Sequence, residues 1–113
     1  MHEMAICEAI RGVLEDQARA QGFTRVERVT LAIGALSGVE IEALRFGFDV
    51  AMRGSLAEQA DLAIEAVPGA AWCMPCAASV AIPDRLAACP ACGSYQLQVT
   101  GGEEMTIREL EVV

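Results

Sequence analysis

The sequence predicts an α+β fold in which two helices lie on a small mixed sheet, with a cysteine-rich insertion in the chain. Apolar residues recur with a helical period over about residues 4–20, and again in the stretch that ends near Arg53. Apolar residues that alternate with polar ones predict three strands, at residues 25–34, 61–67 and 105–113. Four of the five cysteines fall in two close pairs between residues 70 and 100, where no long helix or strand is indicated.

The first segment has the pattern of an amphipathic helix that ends at a glycine. Its apolar residues recur at i, i+4, i+7 and i+8, on one helical face: Ile6, Ile10, Val13 and Leu14. Gly22 can adopt the left-handed conformation of a helix C-terminus. Cys7 lies near this face, and we expect it to pack in the core, with a ligand or redox role as the alternative.

A turn bounded by glycines leads into the second helix. Ser37 and Glu40 have the spacing of a capping box, which predicts Ser37 as the N-cap and Glu40 at the third helical position. The helix is expected to carry an apolar stripe on one face, formed by Ile41, Leu44, Phe48 and Met52. The last strand, from Met105 onwards, is expected to return to the first sheet. The cysteine-rich segment would then be an insertion between two strands.

Composition excludes several classes of protein. The 113 residues suffice for one compact domain, or for a small domain with a metal-stapled appendage. Acidic residues number 16 against 8 Arg and no Lys, so the formal net charge is -8. Such a chain is a poor partner for a nucleic-acid backbone or an anionic membrane. No apolar stretch reaches the roughly 18 residues of a membrane span and no signal peptide is evident, so a cytoplasmic protein is expected.

The paired cysteines have the spacing of a zinc ribbon. Two residues separate Cys73 from Cys76 and Cys89 from Cys92, and twelve residues lie between the pairs. Two residues between cysteines let a tight turn aim both sulfur atoms at one point, and two such turns supply four thiolates about 2.3 Å from a zinc ion. Because the protein supplies all four ligands, we expect a structural site that folds residues 70–100 into a zinc-ribbon-like insertion.

Three other interpretations of the cysteines stay open. A thioredoxin-type redox pair needs one such motif at the start of a helix. Two disulfides would suit a secreted chain. An iron–sulfur site with four cysteines is compatible with the same spacing.

The one histidine of the chain stands at its beginning. The Met1 amine, the His2 amide and the His2 imidazole bring three nitrogen donors together, and nitrogen donors in a plane suit Ni(II) or Cu(II). A frayed and solvated N-terminus is the alternative. No nucleophile–base pair and no phosphate-binding glycine loop is evident, so the sequence predicts no catalytic residues.

Four groups of residues, spread over the whole chain, are similar to those of one known family. They are Met1-His2-Glu3, Ile33-Gly34, Arg53-Gly54-Ser55 with Ala57-Glu58, and the two Cys-x-x-Cys pairs. With these motifs the sequence resembles the HypA/HybF family of hydrogenase nickel-insertion proteins. The Met-His-Glu start combined with paired Cys-x-x-Cys motifs is highly specific.

The resemblance implies a nickel metallochaperone that is not an enzyme. Nickel, the transferred cargo, would bind through the Met1 amine, the His2 imidazole and backbone amides near His2 and Glu3. Glu40 occupies a position that is acidic in some relatives and has been linked to the nickel site. The zinc ion would be structural.

The resemblance also implies partners and a division of the chain. The protein would deliver nickel to the large subunit of [NiFe]-hydrogenase with the GTPase HypB, and in some organisms would also serve urease. A monomer or weak homodimer is expected, without nucleic-acid or membrane partners. Residues 1–69 and 101–113 would form a nickel-binding α+β domain, and residues 70–100 a zinc-binding domain. The alternatives are a zinc-ribbon interaction module without a transferable metal and a thiol–disulfide enzyme.

Overall fold

The structure, a computed structural model, describes residues 2–113. Within these residues the chain forms two helices and six strands. In chain order they are α1 (Glu3–Gln21), β1 (Val26–Gly34), α2 (Ile41–Ala51), β2 (Asp61–Val67), β3 (Gly69–Cys73), β4 (Ala78–Ile82), β5 (Leu97–Gly101) and β6 (Met105–Val112). The predicted α+β class is confirmed. No helix among the described residues is long and apolar enough to cross a membrane.

The strands form two three-stranded sheets. The first has the order β2-β1-β6, so the C-terminal strand returns to the first sheet as predicted. The second has the order β4-β3-β5 and is inserted in the sequence between β2 and β6. Its central strand β3 pairs antiparallel with both neighbours, with Cys73 opposite Ala78 on one side and Leu97 on the other.

The chain divides into two compact units. Unit 1 comprises the chain up to Leu31, Val39–Ile64 and Ile107–Val113. Unit 2 comprises Ala32–Gly38 and Glu65–Thr106, and therefore contains the whole second sheet and all four paired cysteines. The predicted division of nickel and zinc binding between residues 1–69 with 101–113 and residues 70–100 stays a prediction.

Unit 1 is built around the packing of α1 against α2. Their buried residues recur at helical spacing: Cys7, Ile10 and Leu14 in α1, and Leu44, Gly47 and Phe48 in α2. Burying one large aliphatic or aromatic side chain contributes about 1.5–3 kcal/mol. The prediction that Val13 lies on the same buried face is wrong, because its side chain is 44% exposed. Helix α1 ends at Gly22, whose N–H donates to the carbonyl of Ala18, as predicted.

The start of α2 differs from the prediction. Ser37 is not the N-cap; Glu40 is, and its side chain accepts a hydrogen bond from the Glu42 N–H at 3.3 Å. The physical reason lies at Gly38, whose φ of +77° is left-handed, so the helix cannot run through this residue. The capping box therefore identified the right turn but placed the helix start three residues early.

Unit 2 has a small core of its own. Leu36, Ala71 and Ile82 are buried in it, and four partly buried apolar residues pack around them: Val80, Ala87, Leu97 and Val99. The side chains of β3 alternate between this core and solvent, with Ala71 and Cys73 fully buried and Trp72 exposed. Because Cys73 is the last residue of β3, this core determines where the first cysteine of the cluster lies.

Candidate metal sites

The four paired cysteines converge in unit 2. Cys73 ends β3 and Cys76 lies in the turn that leads to β4, while Cys89 and Cys92 lie in the turn before β5. The second turn is closed by backbone hydrogen bonds from the Gly93 N–H to the Cys89 carbonyl and from the Cys89 N–H to the Ser94 carbonyl, each 2.8 Å long. All four sulfur atoms lie within 4.8 Å of one another. The sequence prediction that these side chains form one cluster is therefore confirmed.

The distances between the sulfur atoms fit a single tetrahedral metal ion. The Sγ atoms of Cys73 and Cys92 are 3.5 Å apart, and those of Cys76 and Cys89 are 4.0 Å apart. Four thiolates about 2.3 Å from a zinc ion would be about 3.8 Å from one another. The donor set therefore suits a metal that prefers soft, tetrahedral ligands, and it leaves no position open for a substrate.

The surroundings of the sulfur atoms favour a thiolate at one of them. Backbone N–H groups of Cys92 and Ala91 point at Cys89 and lower the pKa of its thiol to about 7, and the Ala91 N–H lies 3.4 Å from the sulfur. Hydrogen bonds with Cys92 and Cys73 raise the pKa of the Cys76 thiol to about 12. A metal cation that binds the cluster must displace the remaining protons, so binding weakens as the pH falls.

Cys7 is apart from this cluster. It is fully buried in unit 1, and its Sγ donates to the carbonyl of Leu44 at 3.5 Å. Burial, with a smaller effect from the carboxylates of Glu3 and Glu8, raises the pKa of its thiol to about 11. The prediction that Cys7 is a core thiol is confirmed, and Cys7 does not belong to the group of potential metal ligands found among residues 2–113.

The thiols should therefore react in two classes after metal removal. When a chelator has stripped the protein at pH 8, we expect an alkylating reagent to label four thiols quickly and Cys7 last. Cys7 stays fully buried in the core of unit 1, and burial both raises the pKa of its thiol to about 11 and blocks the reagent. The other four thiols, Cys76 included, become accessible because unit 2 is expected to unfold without its metal. Mass spectrometry of timed samples counts and locates the labels. Denatured protein, the control, should label at all five cysteines, and rapid native labelling of Cys7 would contradict this assignment.

The start of α1 lies against the start of α2 in unit 1. His2 is the N-cap of α1, has an extended backbone (φ -88°, ψ 95°), makes no side-chain capping hydrogen bond, and is exposed. Glu3 follows in the first turn, and its Oε2 accepts a hydrogen bond from the Glu40 N–H at 3.2 Å. That backbone donor is the main cause that lowers the pKa of the Glu3 carboxyl. Met1, the remaining residue of the predicted nickel site, lies outside the described residues.

Three of the predicted nickel-site residues are thus neighbours or in direct contact. His2 precedes Glu3, whose carboxylate contacts the backbone of Glu40. The side chain of Glu40 caps its own helix at the Glu42 N–H. Sequence reasoning did not foresee the contact between Glu3 and Glu40, because it joins residues 37 positions apart and depends on how the helices pack.

The fold and the cysteine cluster define a small α+β metal-binding protein. The sequence model of a family described as "Hydrogenase/urease nickel incorporation, metallochaperone, hypA" matches residues 1–112. The chain belongs to the HypA family, as the sequence motifs predicted. This is a family of metallochaperones and maturation factors, so the prediction that the protein is not an enzyme is confirmed.

Relatives match along the whole chain. The chain is 55% identical over 113 residues to hydrogenase maturation factor HypA of Xanthobacter autotrophicus, and 58% identical over 113 residues to that of Azorhizobium caulinodans, covering all of both chains in each pair. The solution structure of the Ni metallochaperone HypA from Helicobacter pylori has a TM-score of 0.71 at 24% identity, covering 100% of this chain and 98% of that one. At this identity the likeness bears on the fold alone. A second HypA solution structure has a TM-score of 0.70 at 26% identity, covering 100% of this chain and 97% of that one.

Proposed function

We propose that this protein is a cytoplasmic nickel carrier for the maturation of [NiFe]-hydrogenase, and that it holds a structural zinc ion besides its cargo. The observation that carries the proposal is the family match over residues 1–112, which begins with Met-His-Glu and includes both cysteine pairs. Relatives that cover the whole chain are called hydrogenase maturation factors.

The resident metal is zinc at Cys73, Cys76, Cys89 and Cys92. The support is the donor set, four sulfur atoms within 4.8 Å of one another in a segment with a small core. Thiolate ligands select zinc over the harder cations of the cell, although they also suit iron–sulfur clusters. Zinc bound here supplies folding free energy, and the cysteines hold β3 to the turn before β5.

Nickel binds at the N-terminus through the Met1 amine, the His2 imidazole and the backbone amides near His2 and Glu3. The support is the chemistry of the donors, because nitrogen atoms in a plane suit Ni(II), whereas the tetrahedral thiolates suit zinc. His2 is exposed, so its imidazole is accessible to a metal ion. The carboxylates of Glu3 and Glu40 add negative charge beside the cation, and Glu40 is the weaker candidate for a ligand because it caps α2.

An exposed terminal site suits a carrier that must also release its metal. Few protein side chains hold the ion, and an acceptor can reach it from solution. The acceptor is the hydrogenase large subunit, with the GTPase HypB as the partner in insertion, and the family description extends nickel incorporation to urease.

Addition of residues before Met1 should weaken nickel binding. We expect zinc-loaded protein with its native N-terminus to bind one equivalent of Ni(II) saturably in a calorimetric titration. A short peptide fused before Met1 removes the free amine and should lower that affinity, while the same peptide fused after Val113 should leave it unchanged. If the protein with its native N-terminus does not bind nickel saturably, a zinc-ribbon interaction module is the better function. Equal nickel affinity in the native protein and in the fusion before Met1 would exclude the Met1 amine as a ligand.

A further inference from the structure

One face of α2 contacts the first two turns of α1. Glu40, Leu44 and Gly47 follow one another at i, i+4 and i+7, the spacing of a single helical face. Glu40 donates its backbone N–H to the carboxylate of Glu3, and Leu44 accepts from the thiol of Cys7. Gly47 is the third residue of this face, and it brings no side chain to the contact.

At Gly47 an added Cβ atom would make one contact with α1 that is tighter than usual, and two of ordinary length. A Cβ atom there would lie 3.3 Å from the Sγ of Cys7, 3.7 Å from the Cα of Met4 and 3.8 Å from the carbonyl oxygen of Glu3. All three atoms belong to the first two turns of α1. Glycine is less favourable than alanine inside a helix, and at Gly47 the 3.3 Å contact with Cys7 is a packing feature that alanine would disturb.

Cys7 has little room to yield to such a Cβ atom. Its side chain is fully buried, and its thiol donates a hydrogen bond to the Leu44 carbonyl, one turn before Gly47 on the same face of α2. Cores are packed densely enough that an added methyl group shifts its neighbours. An adjustment of a few tenths of an ångström would then fall on the start of α1, where Glu3 follows the N-cap His2.

We propose that Gly47 is a positioning residue of the N-terminal nickel site. Because Gly47 has no Cβ atom, it sets the distance between the first turn of α1 and α2. This distance maintains the hydrogen bond between the Glu40 N–H and the carboxylate of Glu3, the residue that follows His2. This role rests on the proposed nickel function. Gly47 itself touches no metal, and it acts through the backbone of the residues that precede Cys7.

The test is nickel affinity in Gly47→Ala, with a rescuing second substitution. We expect Gly47→Ala to lose about tenfold in affinity, the lower end of what loss of support around a metal site costs. Cys7→Ala alone should bind like the native protein. The double variant Cys7→Ala/Gly47→Ala should regain native affinity, because the atom that the new Cβ meets first is gone. Zinc content should not change in any variant.

Gly12→Ala is the matched control. Gly12 lies in α1, and a Cβ atom added there would have nothing within 4 Å, so it tests the effect of alanine on a helix without the contact. The amide resonance of Glu40 in protein without nickel gives a second readout, and it should shift in Gly47→Ala but not in Gly12→Ala.

Each result bears on a separate claim. Unchanged affinity in Gly47→Ala, an equal loss in Gly12→Ala, or a loss that Cys7→Ala does not rescue would each overturn the positioning role while leaving nickel binding intact. Absence of nickel binding in the native protein would overturn the proposed function, and the positioning role with it.

Discussion

Substitution of His2 by alanine is expected to abolish nickel binding while zinc remains at one ion per chain. His2 is the one histidine in the sequence, so no second imidazole can replace it. Loss of a residue that only supports a metal ligand lowers metal affinity roughly 10- to 100-fold. We expect the affinity for Ni(II) to fall by more than this in His2→Ala, because the substitution removes a ligand itself. Calorimetry with Ni(II) on zinc-loaded protein measures the first effect, and elemental analysis of the same sample measures the second.

The control for His2→Ala is Glu8→Ala. Glu8 is an exposed carboxylate farther along α1, so its removal tests whether the negative charge of the region alone attracts the cation. Glu8→Ala should bind nickel almost as the native protein does. If His2→Ala bound nickel with native affinity, the imidazole would not be a ligand. A parallel loss of zinc would mean that the substitution acts on the fold instead of on a separate site.

The larger elements of the fold could be predicted because each carries its own periodic signal. Helix α1 begins and ends within one residue of the predicted limits, and β2 has the predicted limits. The three strands between residues 69 and 101 could not be identified in the same way. Each has five residues, and the apolar core that they share includes Leu36, which lies more than thirty positions before Ala71. Period-two alternation over five residues is too short a signal, and the long-range partner is invisible in sequence.

The cysteine cluster and the proposed nickel site differ in the same respect. The cysteine cluster could be predicted because two residues between cysteines form a local turn, whatever the rest of the chain does. The surroundings of the N-terminus could not, since they depend on contacts between α1 and α2. The Glu3 carboxylate accepts a hydrogen bond from the Glu40 N–H, 37 positions farther along the chain. The sequence therefore indicates candidate metal ligands, while the packing around them is visible only in the folded structure.

Substitution of Cys73 by serine is expected to remove zinc and to unfold unit 2 while the helices of unit 1 persist. A serine hydroxyl does not replace a thiolate as a zinc ligand, and structural zinc in small domains has an apparent binding free energy of about 10–16 kcal/mol. Without the metal, the apolar core of unit 2 around Leu36, Ala71 and Ile82 is small. Unit 1 draws its stability from α1 and α2, whose buried residues are its own.

Two spectroscopic signals distinguish the units. Trp72, the one tryptophan, precedes Cys73 in β3 and reports unit 2, whereas circular dichroism at 222 nm reports mainly α1 and α2. In Cys73→Ser we expect a small further red shift of Trp72 emission, because Trp72 is already 40% exposed in the folded protein, while the helical signal remains. A chelator added to native protein should give the same result.

Cys7→Ala is the matched control for Cys73→Ser, since it removes a buried thiol that lies outside the four-cysteine cluster. It should keep one zinc ion and the native Trp72 emission. Nickel titration of Cys73→Ser then separates the two sites, and we expect affinity at the N-terminus close to that of the native protein. Retention of zinc in Cys73→Ser would remove Cys73 from the ligand set. If the helical signal is lost together with the Trp72 shift, the folding of unit 1 depends on zinc as well. The core of unit 1 would then be too small to fold alone.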